Sequence, residues 1–195
     1  LSPVVAEAAA AYAAHGLPGA QPPDDLLGFV AERLKVALKD RGVRHDRIAA
    51  AFACPRPDGG QEDDLVRLCA RVDALSALLD GPDGADLLAG YRRAANILGQ
   101  APVDDALAID DPAPQSAALR AALENRRAQV DDALREEDFF AAMKALAGLR
   151  GPVDGFFDGV MVNADDAGLR AARIALLRGL IDVFARVASF SLLEG

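Results

Sequence analysis

Histidine, cysteine and tryptophan are scarce in this chain of 195 residues, which has two histidines, two cysteines and no tryptophan. Cys54 and Cys69 form no CxxC pair, so the sequence predicts neither a zinc site nor a disulfide scaffold. This usage is typical of a reducing compartment, and we expect a cytoplasmic protein. No apolar run approaches the ~18 residues of a membrane span, and we expect no membrane partner. The first residues also lack the order of a secretory signal.

Residues that favour strands are also few. Valine, isoleucine, threonine and tyrosine are sparse, whereas alanine and leucine account for much of the 52% hydrophobic content. Alanine, leucine, arginine and glutamate favour helices. No segment alternates polar and apolar residues as a strand would. The sequence therefore predicts an all-α helical bundle with a substantial core.

Positive charge is in deficit, because 21 basic residues face 30 acidic ones and the formal net charge is −9. Bulk attraction to nucleic-acid phosphates needs a basic surface, so any RNA contact must be local and made by arginines. Only Lys35, Lys39 and Lys144 are lysines. This bias fits recognition by planar guanidinium groups, but a GC-rich genome produces the same bias, and that is our preferred interpretation.

Apolar residues recur three to four positions apart along most of the chain, as in amphipathic helices. Acidic residues precede many of these stretches and glycine or proline ends them, as expected of helix caps and breaks. The pattern predicts helices over approximately 3–15, 24–41, 46–53, 62–80, 84–99, 115–135, 138–149, 152–161 and 166–189.

Two breaks divide the chain into three predicted units. Residues 1–23 form a linker helix followed by a proline-rich linker, and residues 24–81 form a helical body segment. A seam near residue 82, at Gly81-Pro82, separates these from a helical domain over residues 82–195. The chain begins at Leu1 rather than methionine, so we expect it to be a piece of a longer protein.

The candidates for catalytic or metal chemistry have simpler explanations. His45-Asp46 resembles part of the metal site of HD phosphohydrolases, but the only other histidine is in a separate segment. An exposed His45 with Asp46 as a helix cap explains this pair. Gly59-Gly60 lacks the lysine and serine of a phosphate-binding loop. We therefore predict neither a catalytic centre nor a metal site in this chain.

Paired aspartates are a further candidate for acid–base chemistry. They lie almost entirely at helix starts or in loops, where carboxylates stabilise the positive end of the helix dipole by about 0.3–1 kcal/mol. This structural role explains the pairs without catalysis. The pairs are Asp24-Asp25, Asp63-Asp64, Asp104-Asp105, Asp131-Asp132 and Asp165-Asp166.

Two arginines stand on one face at the start of the last helix. Arg170 and Arg173 are three residues apart and follow the acidic turn Asn163-Ala164-Asp165-Asp166. From periodicity alone, we interpret them as pairing with local carboxylates or as solvated.

The region around these arginines resembles a known family. The stretch FFDGVMVNADDAGLRAARIALLRGLIDVFARVASFSLLE is similar to the C-terminal end of the β subunit of bacterial glycyl-tRNA synthetase. Upstream, residues 25–53 and the segment YRRAANILGQ also resemble that family. The matching positions include Pro152-Val153-Asp154, Phe156-Phe157-Asp158, Val160-Met161-Val162, Leu169-Arg170, Arg173 and Ser191-Leu192-Leu193.

This resemblance implies that the chain is the tRNA-binding end of a β subunit. By this resemblance, residues 82–195 of the chain would form a domain similar to the DALR anticodon-binding domain. The α subunit, in an assembly of two α and two β subunits, holds the ATP, magnesium and glycine site. The expected partners are glycine tRNA and the α subunit, not DNA, and no cofactor is expected in this chain.

The resemblance also implies an RNA-binding surface in this domain. Aromatic rings and guanidinium planes can stack on the splayed bases of an RNA loop, and amides can bind base edges. The candidate residues are Tyr91, Arg92, Arg93, Asn96, Phe157, Arg170 and Arg173. The aromatic residues have a competing interpretation as core. The whole segment has one too: a helical scaffold that contacts other parts of the synthetase and little RNA.

Overall fold

A computed structural model of the chain describes residues 2–15, 26–56, 59–60, 62–101 and 110–194. These residues form nine α-helices and one 3₁₀ helix, with no strand among them, so the predicted all-α helical bundle is confirmed. The elements are α1 (Ser2–Ala14), α2 (Leu26–Asp40), α3 (His45–Phe52), α4 (Leu65–Asp80), α5 (Gly84–Gln100), α6 (Pro114–Arg135), α7 (Phe139–Ala147), α8 (Arg150–Gly159), α9 (Ala167–Ala185) and a 3₁₀ helix (Phe190–Leu192).

Several helices begin at the aspartates that the sequence predicted as caps. The carboxylate of Asp64 accepts hydrogen bonds from the backbone of Val66 and Arg67 at the start of α4. Asp166 accepts one from the Leu169 N–H at the start of α9. These bonds satisfy N–H groups that have no partner within the helix. The predicted caps Asp24 and Asp25 and the pair Asp104-Asp105 lie outside the described residues.

The capping role predicted for Asp46 is wrong. Arg44 occupies the cap position of α3, and Asp46 lies inside the first turn. Asp46 is buried. Its carboxylate accepts hydrogen bonds from the Arg44 guanidinium and from the backbone N–H of Glu194. The carboxylate thus joins α3 to the end of the chain. His45 is exposed, as predicted.

The last helix is shorter than its apolar pattern predicted. α9 ends at Ala185 instead of near residue 189. The chain turns here because the Ser189 N–H donates to the Ala50 carbonyl of α3 at 2.9 Å rather than continuing the helix. Phe190 then enters the core. A contact with a distant helix therefore sets this boundary.

One hydrophobic cluster dominates the interior. It contains residues of α3 to α9 and of the 3₁₀ helix. α6 packs against α7, α8 and α9, while α4 packs against α5 and α7. A smaller cluster of Leu38, Ile48, Ala51 and Val72 joins α2 and α3 to α4. The three predicted units remain a prediction, and the large cluster draws residues from both sides of position 82.

α5 and α8 run side by side in the same direction. Arg150, which begins α8, forms ion pairs with Asp83 and Asp86 at the start of α5. Further along, the Arg93 guanidinium lies over the Phe157 ring. Both helices therefore end on the same side of the bundle. The connection over residues 160–166 then starts α9 at that side.

None of the described helices combines the length and apolar character needed to cross a membrane.

Candidate nucleic-acid interface

The aromatic candidates belong to the core. Tyr91 is 7% exposed, and its ring centroid lies 5.3 Å from that of Phe184 and 5.5 Å from that of Phe190. Burial raises the pKa of the Tyr91 hydroxyl. Phe157 is 9% exposed and meets Phe156 edge-on at 5.6 Å between centroids. These contacts support the core interpretation for both rings.

Phe157 nevertheless shapes the surface through Arg93. The guanidinium carbon of Arg93 lies 4.3 Å from the centre of the Phe157 ring, while Arg93 itself is exposed. A cation–π contact of this kind is worth about 0.5–1 kcal/mol at an exposed site. It restricts a long side chain that would otherwise sample many rotamers. Arg93 is therefore held over a ring at the surface of α5.

Asn96 extends this exposed site along α5. It lies three residues after Arg93, so the two side chains are neighbours on one helix face. The Asn96 side chain is exposed. Its amide offers both a hydrogen-bond acceptor and donors. Arg93 and Asn96 together present the fork and the amide that binding to base edges requires.

Arg92 faces another part of the molecule. It is partly buried, and its Nη2 atom donates to the Leu193 carbonyl at 2.8 Å. It also lines a cavity of about 370 Å³ with Arg44, Arg47 and Glu194. Arg92 thus fastens the C-terminal segment to α5 and does not lie with Arg93 over Phe157.

Arg173 is engaged in a partly buried ion pair. Its Nε and Nη2 atoms lie 2.8 and 3.0 Å from the two carboxylate oxygens of Asp111, and its Nη1 atom donates to the Met161 carbonyl at 2.8 Å. Ser116 also donates to Asp111 at 2.6 Å. Hydrogen bonding to Arg173 holds the pKa of Asp111 well below its usual range, with a further contribution from Ser116. Arg173 is therefore paired with a carboxylate of the same chain.

Arg170 holds the same turn from a neighbouring position. Its Nη1 atom donates to the Ala164 carbonyl at 2.8 Å, and the residue is partly buried. Arg170 and Arg173 therefore contact two carbonyls of the connection between α8 and α9. They shape the turn that starts α9, close to the exposed acids Asp165 and Asp166.

The candidates therefore fall into two groups. The exposed side chains of Arg93 and Asn96, with the buried Phe157 ring beneath Arg93, form a site on α5 and α8, which we call the α5 face. Arg170 and Arg173 lie where α9 begins, at the same end of the bundle. Tyr91 and Arg92 instead contact Phe190 and Leu193 of the C-terminal segment.

Two residues that fix these helices relative to one another were not anticipated. Asp111 lies between the predicted helices over residues 84–99 and 115–135, and no local pattern marked it. Arg150 was not singled out, yet its guanidinium contacts three carboxylates, those of Asp83, Asp86 and Asp154. Only the spacing of Arg150 and Asp154, four residues apart on one helix, gave a signal for any of these pairs.

The described residues contain no group of three or more histidine, cysteine or acidic side chains arranged to hold a metal ion. Cys54 is buried, and burial raises the pKa of its thiol, which disfavours the reactive thiolate. The chemistry that this geometry offers is recognition by a guanidinium and an amide.

Comparisons with known proteins give a consistent result, although no protein-family model matches the chain. It is 51% identical over 179 residues to a protein of Rhodospirillum centenum named glycine–tRNA ligase beta subunit. Proteins with that name from Phenylobacterium zucineum and Cereibacter sphaeroides are each 46% identical over 178 residues. Each alignment covers 88% of this chain and 24–26% of the relative. The chain thus spans about a quarter of these relatives, and the resemblance seen in the sequence is confirmed.

Proposed function

Because this chain is homologous to a quarter of the glycine–tRNA ligase beta subunit, we propose that it is the tRNA-binding, anticodon-recognising region of such a subunit. It would support ATP-dependent glycylation of tRNA at a catalytic site on the α subunit, where ATP and magnesium would bind. Its partners would be glycine tRNA, the α subunit and the rest of the β subunit, in the cytoplasm. Residues 82–195 would form its DALR-like domain.

The observation that carries this proposal is the arrangement of Arg93 and Asn96 on the α5 face. Unpaired bases of an RNA loop are recognised by stacking on planar side chains and by hydrogen bonds to their edges. Arg93 is exposed and held over Phe157, so little side-chain freedom is lost when it stacks on a base. Asn96 lies one turn further and can bind an edge of that base.

In this proposal the remaining candidate residues shape the binding surface by holding neighbouring segments in place. Arg170 and Arg173 hold the connection that precedes α9, so they set the shape of the surface beside the α5 face. Arg92 and Tyr91 hold α5 against the C-terminal segment. Direct RNA contact in this proposal is therefore assigned to Arg93 and Asn96.

The acidic character of the chain limits the type of binding. With a formal net charge of −9, general attraction to phosphates is weak, so affinity must come from a few directed contacts. Loss of one contact to a base should therefore reduce the affinity measurably.

We expect Arg93→Gln, or Asn96→Ala, to weaken binding of glycine tRNA by about tenfold, since such contacts contribute about 1–3 kcal/mol. Titration monitored by fluorescence anisotropy measures this change.

Arg135→Gln is the matched control. Arg135 is exposed at the end of α6 and pairs with the nearby Asp132, so its loss removes the same charge elsewhere. The titrations are repeated at two salt concentrations because each phosphate contact adds to the salt dependence. Equal affinities for the wild-type chain and for both α5 variants would show that the α5 face does not bind this RNA.

A second function, a helical scaffold within the synthetase, is favoured by the charge. An acidic bundle is better suited to contact basic protein surfaces than RNA. Exposed apolar side chains such as Val66, Phe140 and Met161 are compatible with protein contacts. Absence of tRNA binding at both salt concentrations, together with binding to the remainder of the synthetase, would favour the scaffold.

A further inference from the structure

Four arginines line one cavity at the end of the molecule away from the α5 face. Arg56, Arg67, Arg71 and Arg186 surround a space of about 250 Å³. Arg186 follows the last turn of α9, and Arg170 lies in its first turn, so the two are about 24 Å apart along the helix. The other lining residues are Pro55, Leu134 and Ala185, and no carboxylate of the described chain lines this space. We call it the arginine pocket.

Arg71 is the buried member of this group. Its side chain is 3% exposed, and its guanidinium stacks on Phe139 with 5.0 Å between the guanidinium carbon and the ring centre. Its polar contacts are long: Nη1 is 3.4 Å from the Cys54 carbonyl, and Nη2 is 3.8 Å from Glu62. The Nε atom has no hydrogen-bond partner among the described residues. Buried polar groups rarely remain in that state, because their desolvation is costly.

Four carboxylates hold the arginines from outside the lining. Arg67 pairs with Glu62 at 3.1 Å and with Glu137 at 2.7 Å, and Arg56 pairs with Asp63 at 3.3 Å. Arg186 pairs with Asp131. These carboxylates offset the repulsion between the positive charges, so four guanidinium groups can lie close together. A guanidinium has five N–H donors, and one carboxylate engages at most two of them, so Arg186, which pairs with Asp131 among the described residues, retains donors for a further anion.

We propose that the arginine pocket binds a phosphate group. A phosphate group has several acceptor oxygens, so it can accept hydrogen bonds from guanidinium groups that approach from different parts of the chain. The planar guanidinium also matches the spacing of phosphate oxygens. The ligand would give the Arg71 guanidinium the close acceptor that its protein contacts lack. The source is either free inorganic phosphate or the phosphodiester of an RNA strand. This pocket is separate from the α5 face, and the proposed function does not depend on it.

Inorganic phosphate is the probe in isothermal titration calorimetry of the whole chain, with chloride keeping the ionic strength constant. We expect saturable binding that Arg186→Gln weakens by about tenfold, the loss of one hydrogen bond between charged groups. Arg178→Gln is the matched control because Arg178 is exposed on the same helix and does not line the pocket. Arg56→Gln provides a second pocket variant if Arg186→Gln loses helical circular dichroism.

The proposal is overturned if phosphate gives no saturable heat, or if Arg178→Gln weakens binding as much as the pocket variants do. A second titration, with an RNA oligonucleotide lacking terminal phosphates, identifies the source. If Arg186→Gln weakens both ligands and phosphate competes with the RNA, the pocket takes an RNA phosphodiester. If only phosphate binding falls, the pocket takes the free ion. Arg93→Gln should leave phosphate binding unchanged, so failure of the α5 face is distinguishable from failure of the pocket.

Discussion

At the scale of single residues, Asp111 connects two helices that are far apart in the sequence. Its carboxylate is buried and joins α9, through Arg173, to the start of α6, through Ser116 and the Ala113 N–H. Removal of one partner from a buried ion pair costs about 3–5 kcal/mol, because the other charge stays buried. We expect Asp111→Asn to destabilise the chain toward the lower end of that range at pH 7. Urea denaturation followed by circular dichroism measures the change.

The pH dependence of this difference follows from the depressed pKa of Asp111. A carboxyl group with a lowered folded-state pKa stabilises the fold above its unfolded pKa of about 3.9, and that stabilisation is lost as the pH falls toward the folded value. The gap between wild type and Asp111→Asn should therefore narrow below pH ~4. Asp110→Asn, at the exposed neighbouring position, is the control and should have little effect at either pH. A gap independent of pH would contradict the ion-pair explanation.

At the scale of elements, the C-terminal segment after α9 closes the bundle. Phe190 is 2% exposed and packs on Tyr91 and Phe184, with 4.8 Å between its ring centroid and that of Phe184. Truncation of a buried phenylalanine costs about 3–5 kcal/mol through lost burial and the cavity left behind. We expect Phe190→Ala to lower the stability by that amount in thermal or urea unfolding.

Leu192→Ala is the control for this element because Leu192 is 45% exposed in the same 3₁₀ helix. We expect it to change stability by less than about 1 kcal/mol. A similar loss in both variants would mean that disruption of the segment as a whole, and not the Phe190 contacts, determines the cost.

At the scale of the whole molecule, the shared core makes a prediction about cooperativity. The large cluster joins α3 and α4 to helices that follow residue 82, and the smaller cluster of α2, α3 and α4 adjoins it through the same helices α3 and α4. We therefore expect residues 26–194 to unfold in one transition. In differential scanning calorimetry the calorimetric and van't Hoff enthalpies should then agree. Two resolved transitions would instead support separate units meeting near residue 82.

The sequence by itself determined the fold class and most helix positions. Apolar spacing and acidic caps such as Asp64 and Asp166 are local signals, and local hydrogen bonds and side-chain periodicity form the helices. The resemblance to glycyl-tRNA synthetase β subunits was likewise readable from short motifs around Phe157 and Arg170. Arg93 and Asn96 are three residues apart, a spacing that places both on one helix face.

The tertiary structure decided which polar residues are exposed for binding and which hold the fold. Arg173 pairs with Asp111 across 62 positions, and Asp46 binds the Glu194 N–H across 148 positions. The early end of α9 depends on Ala50 of a distant helix in the same way. The arginine pocket forms only when α4, the end of α9 and the residues after α3 meet. Such contacts depend on how helices pack, and residue spacing along the chain carries no record of partners so far apart.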